Sequence, residues 1–442
     1  MRIAVIPIDA IGHVNPLLPI VGELAAHPDV EVVCSFGPES LADPFTAAGA
    51  QHISLAAASA GPTPAGLSDL AYKSFVQPLP VASRHLQAVA EFRPDVVLYD
   101  VFSFHGAIAG RTLDIPSVSL VTFPGYGALG EDFAVQHGRP HPALEEANAH
   151  YQAQFSLDLL GEGLLPTLFP SKDLSVVTSI ESLSRAPDTS TPILRDRLAP
   201  YVGTLVYVGP SVGPVRCSPP PQRSGRETER RLDEALLFRT LEEAKERGRA
   251  VVLFSLGTVL TDFRFHSPVG GAPTGRQFLN SLLARLTAAV GGRPDLLVVA
   301  AVGTELAREE EPEWPDNFLI SNFLPQREIL NRHADVFLTH HGMNSTAESI
   351  LACVPMVSLP GVGDQITNAQ IATEHRAAVA PWDLRNPYAT VTPQLLEEAV
   401  TQALSSPVHR DACASLRAQM ALAGGARRAA EHVVALPHLR SA

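Results

Sequence analysis

Three side chains able to grip an anion fall within six residues of this chain, His340, Asn344 and Ser345, with Glu348 three residues further on. They follow a short apolar run, Ala334 to Thr339, that suits a buried parallel strand. Ser345 and Glu348 have the spacing of a capping box, which predicts a helix beginning at Ser345. The backbone N–H groups and positive dipole end of such a helix attract phosphate. His340, Asn344 and Ser345 can each add a donor there. Pro355 closes the helix and Val357 to Leu359 resumes a strand. Asp364-Gln365 lies on the loop beyond, at the end of the sheet where open α/β folds bind ligands.

His13 is the second candidate. Arg2 to Ile8 reads as a strand, Asp9 to Asn15 as a turn, and Leu17, Leu18, Val21 and Leu24 recur at helical spacing. Asn15 is the expected N-cap, with Pro16 at the first helical position. A histidine at that helix start sits at the mouth of the sheet. The dipole disfavours its cation, which suits a neutral base.

Such residues need two sheets to hold them, and the chain has the length for two domains: 442 residues, 45% apolar and 18% charged. A first βαβ opens at Arg2, with Val30 to Phe36 as its second strand, and Pro94 to Tyr99 forms a further strand that ends at Asp100. A second alternation of helices and strands starts at residue 227. Between them the Pro-rich run 216–226 reads as a linker. Residues 56–80, rich in Ala, Pro and Gly, read as a mobile loop, and 393–436 as helical. A net charge of -13 argues against nucleic acid and anionic membrane as partners. Cys34, Cys217, Cys353 and Cys413 lie far apart, which predicts neither disulfides nor a zinc site and fits a reduced, cytoplasmic setting. No signal-like segment or run of about 18 apolar residues is present.

The stretch from Phe323 onward resembles the donor-binding signature of the UDP-glycosyltransferases, the family 1 glycosyltransferases with the GT-B fold. The family pattern is roughly W-x-P-Q, H-C-G-W-N-S-x-x-E, G-V-P and D-Q-x-x-N-A. This chain carries Phe323-Leu324-Pro325-Gln326, His340 to Glu348, Cys353-Val354-Pro355 and Asp364 to Ala369, in register over about fifty residues. It departs at Phe323 (Trp), His341 (Cys), Met343 (Trp) and Cys353 (Gly). Gly12-His13-Val14-Asn15-Pro16 resembles the family's G-H-x-x-P, and Leu256-Gly257-Thr258 its turn beside the donor phosphates.

The resemblance implies two Rossmann-like, doubly wound domains facing across a cleft. They would be an acceptor domain at 1–215 and a nucleotide-sugar domain at 227–424. A helix at 425–442 would cross back to the first domain. It implies His13 as catalytic base, supported by Asp100. It implies Phe323 stacking on the base, Gln326 beside it and Glu348 on the ribose. Thr258, His340, Gly342, Asn344 and Ser345 would take the diphosphate, and Asp364 and Gln365 the sugar. The blander roles are a capping partner for Glu348, a core residue for Phe323, a solvated loop for Asp364-Gln365 and an N-cap for Asp100. The expected reaction is inverting and needs no cofactor beyond the sugar donor as co-substrate. UDP-glucose is the first choice and a dTDP-deoxysugar the second, and the acceptor is a lipophilic hydroxylated natural product. No Asp-x-Asp pair is present for a metal clamp.

Two literal motifs are set aside. Gly125 to Gly130 matches G-x-G-x-x-G but lacks a following helix that leads to a strand, and Pro124 precedes it. Gly209 to Gly213 matches G-x-S-x-G, yet Pro214 and Pro219 to Pro221 forbid the helix of a nucleophile elbow. The competing functions are a sugar-nucleotide 2-epimerase, which has no use for a His13–Asp100 pair, a non-catalytic sugar-nucleotide binder, and a nicotinamide oxidoreductase.

Overall fold

The computed structural model describes residues 1–440 except 57, 60, 186–191, 214–232 and 307–312. The expected linker at 216–226 therefore lies outside the described residues. The chain divides into two compact units, Met1–Pro214 with Met420–Ala442, and Val215–Gln419.

The first unit is built on seven parallel strands: β1 (Arg2–Ile6), β2 (Val32–Gly37), β3 (Gln51–Ser54), β4 (Val96–Asp100), β5 (Ser117–Val121), β6 (Leu174–Val177) and β7 (Leu205–Tyr207). Their order is β3-β2-β1-β4-β5-β6-β7. Strands buried on both faces need apolar residues at every position, and β1 supplies them in alternation. Ile3 and Val5 join one core with Leu17, Ile20 and Val21 of the Ile11–Ala25 helix. Ala4 and Ile6 join the other, with Phe36, Phe75, Tyr99 and Phe104.

The first helix begins at Ile11 with Ala10 as N-cap, five residues ahead of the expected Asn15, and holds Pro16 and Pro19 inside it. His13 is thus in its first turn. The loop expected at 56–80 is helical from Asp69 onward: Ser68 caps Asp69–Ala71, and Leu79–Phe92 follows. Composition misleads here because Phe75, wholly buried among Phe104, Tyr151 and Phe169, ties the segment to the core. The literal G-x-G-x-x-G forms a single 3-10 turn, Tyr126–Leu129, in which the Tyr126 hydroxyl donates to Ser175.

The second unit has six parallel strands: β8 (Ala250–Ser255), β9 (Leu296–Ala301), β10 (Phe318–Ser321), β11 (Val336–Thr339), β12 (Met356–Ser358) and β13 (Ala378–Val379). Their order is β10-β9-β8-β11-β12-β13. Phe278, Leu279, Leu282, Leu283, Leu286 and Val290 form the buried face of the Gly275–Val290 helix, in one core with this sheet. The helix Asp364–Glu374 begins at the pair expected on a loop, turned by Gly363 at φ 55°.

The segment 393–436 forms three helices, and the last, Gly425–Arg440, belongs to the first unit. Its Ala429, Ala430, Val433 and Val434 pack with Leu17 and Val21. Val433→Ala is expected to destabilise the protein by about 2 kcal/mol, through lost burial and the cavity left. Calorimetry would show this as a lower first-unit transition.

Candidate active site

Both sheets reverse their strand order between the first and fourth strand of each unit, at β1–β4 and β8–β11. The crevice beyond the carboxyl ends at such a point is where open α/β sheets bind ligands. His13, Asp100, Thr258, His340, Gly342, Asn344 and Ser345 lie at these two points, whereas Phe323 and Gln326 follow β10 and Asp364 and Gln365 follow β12.

In the first unit Ile6 pairs with Tyr99, so Asp100 ends β4 beside the turn that follows β1. His13 Nδ1 and Asp100 Oδ2 lie 2.8 Å apart. Asp100 is almost wholly buried, whereas the His13 side chain is about one-quarter exposed. The other carboxylate oxygen, Oδ1, accepts from the Phe102 amide at 2.9 Å. Asp100 is not the N-cap of the next helix, Phe104–Thr112; Ser103 is, accepting from Gly106. A buried carboxylate against Nδ1 favours the tautomer with its proton there, which places the lone pair on Nε2. Phe102 meets the imidazole edge-on, ring centres 5.4 Å apart. Sequence reasoning missed one neighbour: Thr122, just past β5, places Oγ1 2.8 Å from His13 Nδ1.

In the second unit the helix after β11 runs from Met343 to Leu351 with Gly342 as N-cap, and no side chain caps it. Ser345 is therefore inside the first turn, and the capping box does not form. A competing partner takes both its members: Gln326 Nε2 donates to Ser345 Oγ at 3.2 Å and to Glu348 Oε2 at 2.8 Å. Glu348 is partly buried, and desolvation raises its carboxyl above the usual range, with the Gln326 bond and the Arg327 charge pulling the other way. Phe323, at the start of the same segment, is 37% exposed, which excludes a core role. Its carbonyl accepts from Ser321 Oγ at 2.8 Å.

His340 is buried, its ring lying against the Cα positions of Gly257 and Gly342, where a Cβ at either would collide with it. Gly257 also holds φ 67°, so the turn after β8 needs glycine twice over. Thr258, next to it, is exposed. Asn344 lies on the first turn, partly buried. Desolvation lowers His340 to about 4, partly offset by a bond to the Ser255 backbone. Desolvation, with His340 beside it, lowers His341 to about 3.

His341 is structural. Held at φ 60°, it joins Thr346 Oγ1 at 3.1 Å and Ser358 Oγ at 2.8 Å, and its carbonyl accepts from Asn368 at 2.9 Å. Asn368 also reaches Asp364 at 3.4 Å, which ties the Asp364–Glu374 helix to the turn. Gln365 is buried, and its carbonyl takes the amides of Gly361 and Val362 at 3.0 and 3.2 Å. Asp364 and Gln365 are thus ordered at a helix start, not on a solvated loop.

Two all-parallel α/β units of seven and six strands are the GT-B class of glycosyltransferase fold. Residues 285–436 match the family described as erythromycin biosynthesis protein CIII-like, C-terminal domain. Oleandomycin glycosyltransferase of Streptomyces antibioticus is 26% identical, over 98% of this chain and 90% of that protein. The solved glycotransferase of kitacinnamycin superimposes with a TM-score of 0.70 at 23% identity, covering 98% of this chain and 97% of its own. Glycosyltransferase VinC, solved in complex with dTDP, gives 0.62 at 16% identity, covering 99% and 100%. Over 98% of its length the chain is similar to these glycosyltransferases and has the fold they share.

Two neutral buried histidines set a pH dependence. Their folded pKa values lie below the unfolded value of about 6.5, so the unfolded chain binds more protons as pH falls. Their stabilisation is full above pH 6.5 and declines from there toward about 4 and 3. Urea unfolding at pH 7.5 and 5 is expected to show a loss that shrinks in His341→Asn. A second expectation concerns the turn: Gly257→Ala should cost about 2–4 kcal/mol, from the left-handed backbone and the collision with His340. A lowered melting temperature checks it.

Proposed function

We propose that the protein transfers a sugar from a nucleoside diphosphate sugar to a hydroxyl of a lipophilic natural-product acceptor, with inversion at the anomeric carbon. The observation that carries this reading is the 2.8 Å bond between His13 Nδ1 and the buried Asp100. A protein that only binds a sugar nucleotide has no use for an imidazole held in one tautomer by a carboxylate.

In this reading His13 Nε2 takes the proton from the acceptor hydroxyl as its oxygen bonds to the anomeric carbon. Asp100 stabilises the imidazolium that forms. The bond from the anomeric carbon to the diphosphate breaks on the opposite face, and the electron pair leaves with the diphosphate. The N-terminus of the Met343–Leu351 helix, with Asn344 and Thr258, receives that charge. No metal ion is required of such a site. The neutral, buried state of His340 makes it a shaping residue and a neutral donor at most, not a cation. Phe323 offers an exposed ring to the nucleobase, and Glu348, oriented by Gln326, accepts from the ribose. Asp364 meets the sugar hydroxyls, with Gln365 fixing the loop beside it.

UDP-glucose is the preferred donor in this reading, on the match of Asp364-Gln365 to the family pair. A dTDP-sugar is the alternative, favoured by the likeness to VinC. A thermal-shift series with UDP-glucose, dTDP-glucose and dTDP-deoxysugars separates the two. The acceptor class rests on the likeness to oleandomycin glycosyltransferase across nearly the whole chain.

General base catalysis contributes about a hundred- to ten-thousandfold. His13→Ala is therefore expected to lower turnover at least about a hundredfold while donor affinity stays within a factor of about two. An equal loss of donor affinity would mean that His13 is not the base. For Glu348→Ala the reverse is expected: donor affinity falls and the melting temperature holds, because the residue caps nothing.

A further inference from the structure

We infer that Thr122 is a positioning residue for the His13 base, the second of two acceptors that hold the Nδ1 proton. The inference rests on the glycosyl-transfer reading above. It starts from a count of protons: Nδ1 can carry one, and two oxygens lie 2.8 Å from it, Asp100 Oδ2 and Thr122 Oγ1. A carboxylate facing a nitrogen lone pair repels it, so Nδ1 is protonated, and the Thr122 oxygen must then accept as well. The shared N–H is a three-centre bond.

The sheet places the two acceptors. Asp100 pairs with Leu120 across β4 and β5, so Thr122, two residues on, returns to the face that Asp100 points from. Thr122 is buried, 7% exposed, so water does not compete for its oxygen. One acceptor leaves a ring free to swing about a single bond. Two, from neighbouring strands, fix the ring plane and hence the direction of Nε2. As Nε2 gains a proton, the positive charge shared with Nδ1–H strengthens both bonds, so Thr122 stabilises the cation that forms during transfer.

The test compares Thr122→Val, which keeps the shape and removes the oxygen, with Thr122→Ser, which keeps the oxygen. Loss of an acceptor for the cation makes His13 less basic. The ascending limb of the kcat/KM profile should move to lower pH in the valine variant. Turnover should fall about tenfold while donor KM holds within about twofold. Serine should restore both. Titration of the His13 ring by nitrogen-15 NMR, assigned with His13→Ala, should show the same downward shift in the free protein. That measurement does not depend on which reaction is catalysed, so a failed transfer assay leaves the Thr122 test standing. Thr122→Ala serves if the valine variant does not fold. An unmoved titration, or a loss entirely in donor KM, would overturn the inference.

Discussion

The pairing of the first strand with the fourth, made once in each unit, is the constraint on which the site depends. β1 runs parallel to β4 and β8 parallel to β11, and in each case the chain leaves the two strands in opposite directions. Such a reversal leaves a crevice beyond the carboxyl ends of the two strands. In the first unit the gap receives His13, Asp100 and, from β5, Thr122. In the second it receives Gly257, Thr258 and the His340 turn. The Ile6–Tyr99 and Thr339–Ser255 pairs set the register, and a slip of one residue would turn Asp100 to the opposite face.

The second unit accepts backbone strain to build its turn. His341 and Cys353, at φ 60° and 56°, flank the Met343–Leu351 helix in the left-handed region that favours glycine. Cys353 closes the helix with a Schellman pattern: its amide meets Ile350, and the Val354 amide meets Ser349, at 3.0 and 2.9 Å. The related pattern has glycine there, and the geometry shows why. Cysteine is held in the conformation by these two closing bonds. His341 keeps its own because both ring nitrogens, its amide and its carbonyl are bonded inside the unit.

The sequence was most legible where chemistry and sheet position coincide. His13 and Asp100 each stand at the end of an apolar run, and the structure joins them. The two parallel sheets were also readable, since fully buried strands leave continuous apolar runs. Helix starts were less readable. Pro16 suits a first helical position, yet the helix already runs from Ile11, and Pro16 and Pro19 stand inside it, each withholding the amide donor of one helical bond. The Ser345–Glu348 spacing suggested a cap, but Gln326, nineteen and twenty-two residues away, takes both side chains. The helix at 69–92 was hidden because its composition resembles a loop and its anchor, Phe75, packs on residues far along the chain. Thr122 left no local signal at all: its partner is 109 residues earlier, and only strand order brings them together.

Three histidines at carboxyl strand ends show how burial assigns roles to one residue type. His340 and His341 lie buried in the second unit, where desolvation holds them neutral. A proton on either would sit in low dielectric, so neither can serve as a base that must become a cation. His13 differs: its side chain keeps contact with solvent, and a buried carboxylate faces its inner nitrogen. The helix dipole at its first turn opposes the cation while Asp100 favours it. A helix dipole opposed by a fixed counter-charge is a condition under which an imidazole can both take a proton and give it up. Of the three, only His13 meets it, and it does so because β4 ends in an aspartate.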